Sequence, residues 1–375
     1  MSRIITIRTT DRGTRRRASL LGTGILCLLL LSSCATTLPI RDRTGQIIPD
    51  SVAEMATIRV DGVDNWIVVR GKDIHNPILL FLHGGPGSPE LPLLRHFNGA
   101  LEDSFLVAYW EQPGTCKSYS DDLPESALSI DRFVDYTKGV IDYLRERFGK
   151  DKVYLVGHSW GSIIAILTAK KYPEVIHAVV GVGQVISVVD GEIKSYRQTL
   201  DRAREKKDSA AIEELEALGD PPSYISLEGN WYDDFMTKRK WTLHFGLALY
   251  GQSSYRTYER YYLEATEYTI FDYLKYLKGR KFTARALAGD LLSVDLSDTA
   301  GDMAVPVYFF MGKYDAISST TLFDNYVKHL SAPKKEVVWF EHSAHFVPFE
   351  EPEKFNAEMI RVMKETGASA PVANP

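Results

Sequence analysis

The chain places one serine where it could act as a nucleophile. The stretch GHSWGS, residues 157–162, follows the apolar run KVYLV and precedes the helical pattern IIAILTAKKY. The flanking glycines leave room for a sharp turn that lifts the Ser159 hydroxyl out of a sheet. The N-terminus of the following helix would favour negative charge at the same spot. The sequence therefore predicts Ser159 to be a nucleophile, against the alternative of a serine in a purely structural glycine-rich turn.

A nucleophilic serine needs a base, and the base needs an orienting carboxylate. Asp315 ends the apolar run VYFFMGKYD, and His345 follows the run EVVWFEH. Both lie at the C-terminal end of a predicted strand, where open α/β sheets place their sites. His342 is a rival base, but His345 is preferred because it lies farther out in the loop. Asp315 could instead cap the next helix, a role for which Ser318 competes.

The chemistry also needs backbone N–H groups aimed at the developing negative charge. HGGPG, residues 83–87, follows the apolar run PILLFL. Glycine allows a close approach of the backbone to a reacting group. We therefore expect the N–H of Gly85, or as second choice of Gly84, to form an oxyanion hole with the N–H of Trp160. His83 is interpreted as structural.

Short β-rich runs alternate with helical patterns in the elements that must position these residues. TIRVDG and WIVVRG predict an antiparallel pair, and IDRFVDYTKGVIDYLRERFG predicts a helix with Gly149 as its C-cap. Fully apolar strands between helices indicate a parallel sheet with helices on both faces. After residue 185 the pattern becomes helical and charged, and residues 224–276 hold ten of the twenty tyrosines. Strand patterns return at VPVYFFMGKYD, so we expect an inserted helical cap.

The N-terminus has the features of an export signal. Six arginines precede the apolar run ASLLGTGILCLLLL, which is too short to span a bilayer comfortably. The run ends in LSSC, which resembles the bacterial lipobox and implies lipidation of Cys34. The alternatives are a plain signal peptide cleaved nearby, an uncleaved anchor, or a twin-arginine signal at Arg16 and Arg17. The localisation expected is that of an exported, membrane-anchored lipoprotein on the periplasmic side of a bacterial envelope.

These patterns divide the chain into six expected segments. They are a signal peptide (1–33), a tether (34–54), the first part of an α/β core (55–185), a helical cap (186–300), the second part of the core (301–366) and a disordered tail (367–375).

Charge and cysteine content exclude several classes of protein. The formal net charge is −5, and removal of residues 1–33, with six arginines and one aspartate, takes it to about −10. This argues against nucleic acid as a partner and against a polybasic membrane patch. With Cys27 in the signal and Cys34 lipidated, Cys116 remains alone, so no intramolecular disulfide is expected. No cluster of histidine or cysteine suggests a metal, and the expected chemistry needs no cofactor.

At this point the chain resembles the α/β-hydrolase fold, and within it the proline iminopeptidase-like serine peptidases. HGGPG, YWEQPGTCKS, GHSWGS, GKYD and HSAHFVPFEEPEKF match that group in order and spacing, over roughly residues 55–182 and 303–365. The resemblance implies Ser159 as nucleophile, His345 as base and Asp315 as orienting residue. The family's loop DQRGxGxS stands here as EQPGTCKS, residues 111–118, with Pro113 in place of arginine and Cys116 in place of glycine.

Iminopeptidases hold the free amino group of the substrate with carboxylates of the cap. Glu228, Glu264 and Glu267 are candidates here, and Glu264 would share a helix face with Glu267 if YYLEATEY is helical. The alternative is a solvated charged face. The tyrosine-rich cap predicts an apolar, aromatic-lined pocket above the serine.

Three functions are compatible with these residues. The first is a serine aminopeptidase of iminopeptidase type, which cleaves N-terminal residues from small peptides or amides through an acyl-enzyme. The second is a carboxylesterase or lipase-like hydrolase of small esters, because both reactions use the same catalytic groups. The third is a non-catalytic binding protein on a hydrolase scaffold. A cap that binds an amine favours the first function, and an apolar cap favours the second.

Overall fold

The structure is a computed structural model that describes residues 35–367. An eight-stranded sheet forms its centre. The strands are β1 (Val52–Val60), β2 (Val63–Gly71), β3 (Ile78–Leu82), β4 (Leu106–Glu111), β5 (Val153–His158), β6 (Ile176–Val182), β7 (Val307–Gly312) and β8 (Lys335–Phe340). Their order is β1-β2-β4-β3-β5-β6-β7-β8. β1 pairs antiparallel with β2, and β2 with β4, while the other pairs are parallel. The predicted antiparallel opening and mostly parallel sheet are confirmed.

Helices cover both faces of this sheet and form an inserted cap. They are α1 (Leu91–Phe97), α2 (Ile130–Phe148), α3 (Trp160–Lys171), α4 (Val188–Lys206), α5 (Ser209–Glu216), α6 (Trp231–His244), α7 (Arg256–Glu264), α8 (Ile270–Ala286), α9 (Ala288–Leu292), α10 (Leu296–Thr299), α11 (Thr320–His329), α12 (Val347–Glu350) and α13 (Pro352–Glu365). Helices α2, α3 and α11 pack on one face, and α1 and α13 on the other. The predicted α/β class with helices on both faces is confirmed.

The predicted helix at 130–149 illustrates how local signals set an element. The Ser129 side chain accepts a hydrogen bond from Arg132 N at the start of α2. Gly149 follows its end with φ 63°, a left-handed conformation that glycine adopts without strain. Phe133, Val140 and other apolar residues of one face are buried against the sheet, as their 3.6-residue period predicts.

The cap lies between β6 and β7, which are neighbours in the sheet. Residues 183–306 connect these two strands and contain α4 to α10. The charged stretch from 192 to 219, for which the sequence predicts helical structure, contains the end of α4 and all of α5. Lys207 has a left-handed φ of 55°, and the Asp208 side chain then accepts from Ala211 N to begin α5.

The segment that precedes β1 is held against the fold. Thr36 N donates to Thr266 O at 2.9 Å, and Arg70 donates to Thr37 Oγ1 at 2.7 Å and to the carbonyl of Leu38. Part of the segment expected to be a tether is therefore bound to the core and the cap. Within residues 35–367, no helix combines the length and the hydrophobicity required to cross a membrane. The predicted signal peptide, Cys34 and nearly all of the predicted tail lie outside the described residues.

Candidate active site

The predicted nucleophile lies at the turn between β5 and α3. Ser159 has φ 54° and ψ −120°, a conformation that a non-glycine residue adopts only under strain. Its N–H donates to Val182 O on β6 at 2.9 Å. A Cβ on Gly157 would collide with the carbonyl of Gly161, and a Cβ on Gly161 would collide with the carbonyl of Leu82 on β3. Both glycines are therefore required by close backbone packing, which is the geometry that the sequence pattern predicts.

Asp315 and His345 come together below this turn. The Asp315 Oδ2 to His345 Nδ1 distance is 2.8 Å, and both residues are buried. Asp315 Oδ1 also accepts from the N–H groups of Ile317 and Ser318, and Oδ2 from the Ser318 hydroxyl. Asp315 does not cap α11, because the Ser319 side chain does so. The carboxylate is thus fixed on the histidine ring.

Electrostatics favour a charged aspartate beside a neutral histidine. Burial disfavours the Asp315 carboxylate, but the attraction of His345 and the hydrogen bonds hold its pKa below the usual range. Burial lowers the pKa of His345, and Asp315 offsets only part of this effect. The second ring nitrogen, Nε2, is buried and has no hydrogen-bond partner within residues 35–367. It is the atom that a general base must keep free.

The loop that carries His345 is braced by two glutamates. Glu350 Oε2 accepts from Ala344 N at 3.0 Å and from Phe346 N at 2.9 Å, on the two sides of His345. Burial raises the pKa of Glu350 to about 7. The rival base His342 is exposed, and its N–H donates to Glu351. The structure therefore brings His345, and not His342, to the aspartate.

The HGGPG loop lies beside the serine. The position that a Cβ of Gly84 would occupy is 3.2 Å from Ser159 Cβ. Trp160 is the first residue of α3, so its N–H has no acceptor within that helix. Gln112 ties the two segments together, because it donates to His83 O at 2.9 Å and accepts from Trp160 Nε1 at 2.8 Å. The backbone groups predicted to form an oxyanion hole therefore lie next to the turn.

A buried acid next to the serine was missed in the sequence. Glu90 Oε1 is 2.7 Å from His158 Nδ1, and His158 Nε2 is 2.8 Å from the carbonyl oxygen of His345. Glu90 Oε1 is 3.1 Å from the same Gly84 Cβ position that approaches Ser159. Glu90 is only 5% exposed, and its Oε2 has no hydrogen-bond partner among the described residues. An unpaired carboxylate oxygen of this kind is costly unless a ligand completes it.

Glu90 also controls the charge of the histidine that precedes the nucleophile. Burial lowers the pKa of His158, but the neighbouring Glu90 carboxylate outweighs burial, and the net shift is upward. The only signal in the sequence was a glutamate three residues after HGGPG. Nothing in that spacing showed that the chain turns back towards GHSWGS.

Comparison with known proteins agrees with this architecture. Residues 77–352 match the family model for the alpha/beta hydrolase fold. The chain belongs to the α/β-hydrolase family. A probable aminopeptidase, YbaC of Bacillus subtilis strain 168, is 31% identical over 84% of this chain and 98% of its own length. A proline iminopeptidase of Saccharolobus solfataricus is 26% identical over 82% of this chain and 90% of its own.

A solved structure shares the fold of this α/β hydrolase. The proline iminopeptidase of Mycobacterium smegmatis superposes with a TM-score of 0.60 at 17% identity, over 84% of this chain and 98% of that one. The α/β hydrolase described here is a hydrolase enzyme with relatives named as aminopeptidases and proline iminopeptidases.

In the cap of this α/β hydrolase, the three predicted carboxylates are either exposed or already paired. Glu228 and Glu264 are exposed. Helix α7 ends at Glu264, so the helix face predicted to join it with Glu267 does not form. Glu267 is buried, where it pairs with Arg95 and accepts from Thr37 Oγ1 at 3.0 Å. Glu267 therefore links the cap to the segment before β1.

A second buried carboxylate of the cap is also fully engaged. Glu192 pairs with Lys238 at 3.0 Å and with Arg239 at 2.6 Å, and it accepts from Tyr224 at 3.2 Å. Burial lowers the pKa of Lys238 to about 8, despite the nearby Glu192. This cluster is balanced by its own cations, which leaves Glu90 as the buried carboxylate that combines a free oxygen with a position beside Ser159.

The divergent loop 111–118 supports the cap. Cys116 is buried, its Sγ lies 3.3 Å from Asp272 O of α8, and burial raises the pKa of its thiol. Glu111, whose pKa burial raises to about 8, accepts from the Tyr268 hydroxyl and from Lys117 N. The Thr283 hydroxyl of α8 donates to Gly114 O at 3.1 Å. Cys116 is thus part of the packing between loop and cap.

Proposed function

We propose that this enzyme is a serine hydrolase that works through an acyl-enzyme, with Ser159 as nucleophile, His345 as base and Asp315 as its orienting carboxylate. The observation that carries the proposal is the buried His345–Asp315 pair, joined at 2.8 Å, next to a serine strained on a strand-to-helix turn. His158 connects the two parts, because it precedes Ser159 and bonds the carbonyl of His345 at 2.8 Å.

In each half of the proposed reaction, His345 Nε2 takes up one proton and then returns it. Nε2 takes the proton of Ser159 Oγ as the oxygen attacks the substrate carbonyl carbon. The N–H groups of Trp160 and of Gly85 or Gly84 stabilise the oxyanion that forms. When the intermediate collapses, Nε2 returns the proton to the leaving amine or alcohol. A water molecule then loses a proton to Nε2 as it attacks the acyl carbon. When this second intermediate collapses, Nε2 returns the proton to Ser159 Oγ, and the acid and free Ser159 are released.

Within this class we propose an aminopeptidase that cleaves the N-terminal residue of small peptides or amides. A free carboxylate oxygen close to the nucleophile suits the ammonium group of such a substrate, which lies two bonds from the carbonyl carbon under attack. Glu90 Oε2 is buried without a partner among the described residues, and Oε1 of the same carboxylate is 3.1 Å from the Gly84 Cβ position that approaches Ser159. Glu228, Glu264 and Glu267, predicted for this role from the sequence, are exposed or already paired, so Glu90 replaces them in the proposal. The names of the relatives support the same activity.

A small-ester hydrolase is the second candidate. In the cap, the buried carboxylates of Glu267 and Glu192 are already paired with cations. These two carboxylates are therefore not available to a substrate ammonium group, which favours an ester substrate. The catalytic groups would be the same. The two candidates therefore differ only in whether Glu90 binds a substrate charge.

We further propose that the protein reaches its substrates at a membrane surface. The arginine-rich start, the apolar run and LSSC support a lipoprotein signal with lipid on Cys34, facing the periplasm. One acyl chain alone gives weak binding, and two or more hold a protein firmly.

Cleavage of arylamides tests the proposed activity. Residues 35–375, which contain the whole sheet and cap, would be assayed with proline and alanine arylamides, with N-acetylated alanine arylamide and with a short-chain aryl ester. We expect release of arylamine that is lost on acetylation and abolished by Ser159→Ala, while the variant keeps the wild-type melting temperature. Turnover retained in a clean preparation of that variant would refute the role of Ser159. Ester cleavage alone would favour the second candidate.

A further inference from the structure

The cap exposes a cluster of large apolar side chains. Ten large apolar or tyrosine side chains are exposed within residues 35–367, and five of them lie at the end of α7 and along α8. They are between 54% and 77% exposed: Leu263, Ile270, Phe271, Leu274 and Leu277. Scattered exposed leucines need no explanation, but a contiguous cluster marks an interaction site.

Helix α8 has the reverse of the usual amphipathic pattern. Its buried residues are Asp272, Gly279 and Thr283. Gly279 packs directly on Gly114 O, which also accepts from Thr283 at 3.1 Å, and Asp272 pairs with Lys117 at 2.7 Å. These contacts fix the rotation of α8. The apolar side chains cannot turn inward without breaking them, so their exposure is built into the fold.

Basic side chains share this exposed side. Within α8 the exposed basic residues are Lys275, Lys278, Lys281 and Arg285. The one acidic residue of α8 is Asp272, which points inward to Lys117. Lys278 also lies 3.4 Å from the exposed Asp121 of the neighbouring loop. We call the five apolar and four basic residues the cap face. Its positive charge contrasts with the acidic chain as a whole.

The segment that precedes β1 contacts the loop next to the cap face. Thr36 N donates to Thr266 O, between Leu263 and Ile270. In the sequence, Cys34 precedes Thr36 by two residues. The lipid proposed above would thus be attached two residues before this contact with the loop between α7 and α8.

We propose that the cap face lies on the surface of a bilayer that contains anionic lipid. Apolar side chains on an interfacial helix enter the boundary between headgroups and acyl chains, while lysines and arginines contact lipid phosphates. The mixture of leucine, isoleucine and phenylalanine with four cations fits that environment, whereas the cap face of a second copy would bring four like charges against these cations. Docking of this kind does not depend on the reaction catalysed.

Vesicle flotation tests the proposal without the lipid anchor. Residues 35–375 would be mixed with vesicles of phosphatidylcholine alone or with phosphatidylglycerol added. We expect flotation with the anionic vesicles that weakens as salt is raised. The triple variant Phe271→Gln, Leu274→Gln, Leu277→Gln and the triple variant Lys275→Gln, Lys278→Gln, Lys281→Gln should each lower the partition coefficient about tenfold or more.

Matched controls separate the cap face from general surface properties. Ile47→Gln removes an equally exposed apolar group elsewhere, and Lys206→Gln with Lys207→Gln removes exposed cations at the end of α4. Both controls should float like the wild type. All variants should keep the wild-type melting temperature and ester hydrolysis, because the substituted side chains are exposed.

Three results would overturn the proposal. The first is failure of the wild-type chain to bind anionic vesicles. The second is equal binding of the triple variants and the wild type. The third is a concentration-dependent dimer in light scattering, lost in the apolar triple variant and accompanied by no vesicle binding, which would assign the cap face to a second copy of the chain.

Discussion

Replacement of Glu90 by glutamine separates substrate recognition from catalysis. The amide keeps nearly the same volume and can still bond His158 Nδ1, which is 2.7 Å from Glu90 Oε1. Its oxygen accepts when the imidazole is charged, and its NH₂ group donates when the imidazole is neutral. What disappears is the negative charge at Oε2, which is buried and free of partners in the described structure. We therefore expect the loss to fall on substrates that carry a free amino group.

The magnitude follows from the type of bond removed. A hydrogen bond to a charged group contributes about 1.5 to 3 kcal/mol. The kcat/KM for alanine arylamide should therefore fall about tenfold to about 150-fold. The kcat/KM for a short-chain aryl ester should change by less than about threefold, because the ester has no amino group to lose.

The pH of the assay matters because Glu90 also raises the pKa of His158. A raised histidine pKa contributes stability that is present in full below 6.5 and is lost as pH rises through the folded pKa. The variant loses that contribution, so it is most impaired in acid. Steady-state rates should be measured at several pH values above 6.5, because the stability difference between wild type and variant shrinks as pH rises.

Glu267→Gln is the matched control, since Glu267 is another buried glutamate and was one of the three acids predicted to bind the amine. It should reduce stability through the loss of the Arg95 pair and leave the ratio of amide to ester rates unchanged. Equal losses of both activities in Glu90→Gln would show a structural role for Glu90. A selective loss in Glu267→Gln would return amine recognition to the cap.

Three further expectations concern the catalytic groups and the turn. Asp315→Asn should lower kcat for the ester about 10⁴-fold without unfolding the protein, since the orienting charge on His345 is removed; a loss below about tenfold would contradict the proposed triad. Because burial lowers the pKa of His345, ester kcat/KM should fall on the acid side with an apparent pKa below 6.5, and a limb above neutrality would argue against this base. Gly161→Ala should cost at least about 2 kcal/mol of unfolding free energy in a denaturant titration, because its Cβ meets the Leu82 carbonyl. Gly289→Ala is the control, with open space around its Cβ, and equal stability of the two variants would refute the packing argument.

Much of the core could be predicted because its signals are local. Apolar runs predicted β3, β5 and β7, and a 3.6-residue apolar period that ends at Gly149 predicted α2. The stretch from 192 to 219 was harder, because helix propensity continues across the break. A left-handed Lys207 and a side-chain cap at Asp208 end one helix and begin the next, and neither residue type demands this.

The sequence by itself determined the turn at Ser159. Glycines at 157 and 161 between an apolar strand and an apolar helix leave few conformations, because the backbones of β5, α3 and β3 approach too closely for a Cβ. The position of Ser159, Asp315 and His345 at one edge of the sheet also follows from the sequence, because each comes after a parallel strand and the C-terminal ends of such strands meet at one edge.

Only the tertiary structure decided which carboxylates are free. Glu267 is paired because the cap packs on Arg95 of α1. Glu90, which precedes α1, bonds His158 through Oε1 and keeps Oε2 without a partner among the described residues. Both outcomes depend on contacts between segments about 70 to 170 residues apart. The charge state and availability of an acid depend on its neighbours in space, and the residue type alone does not reveal them.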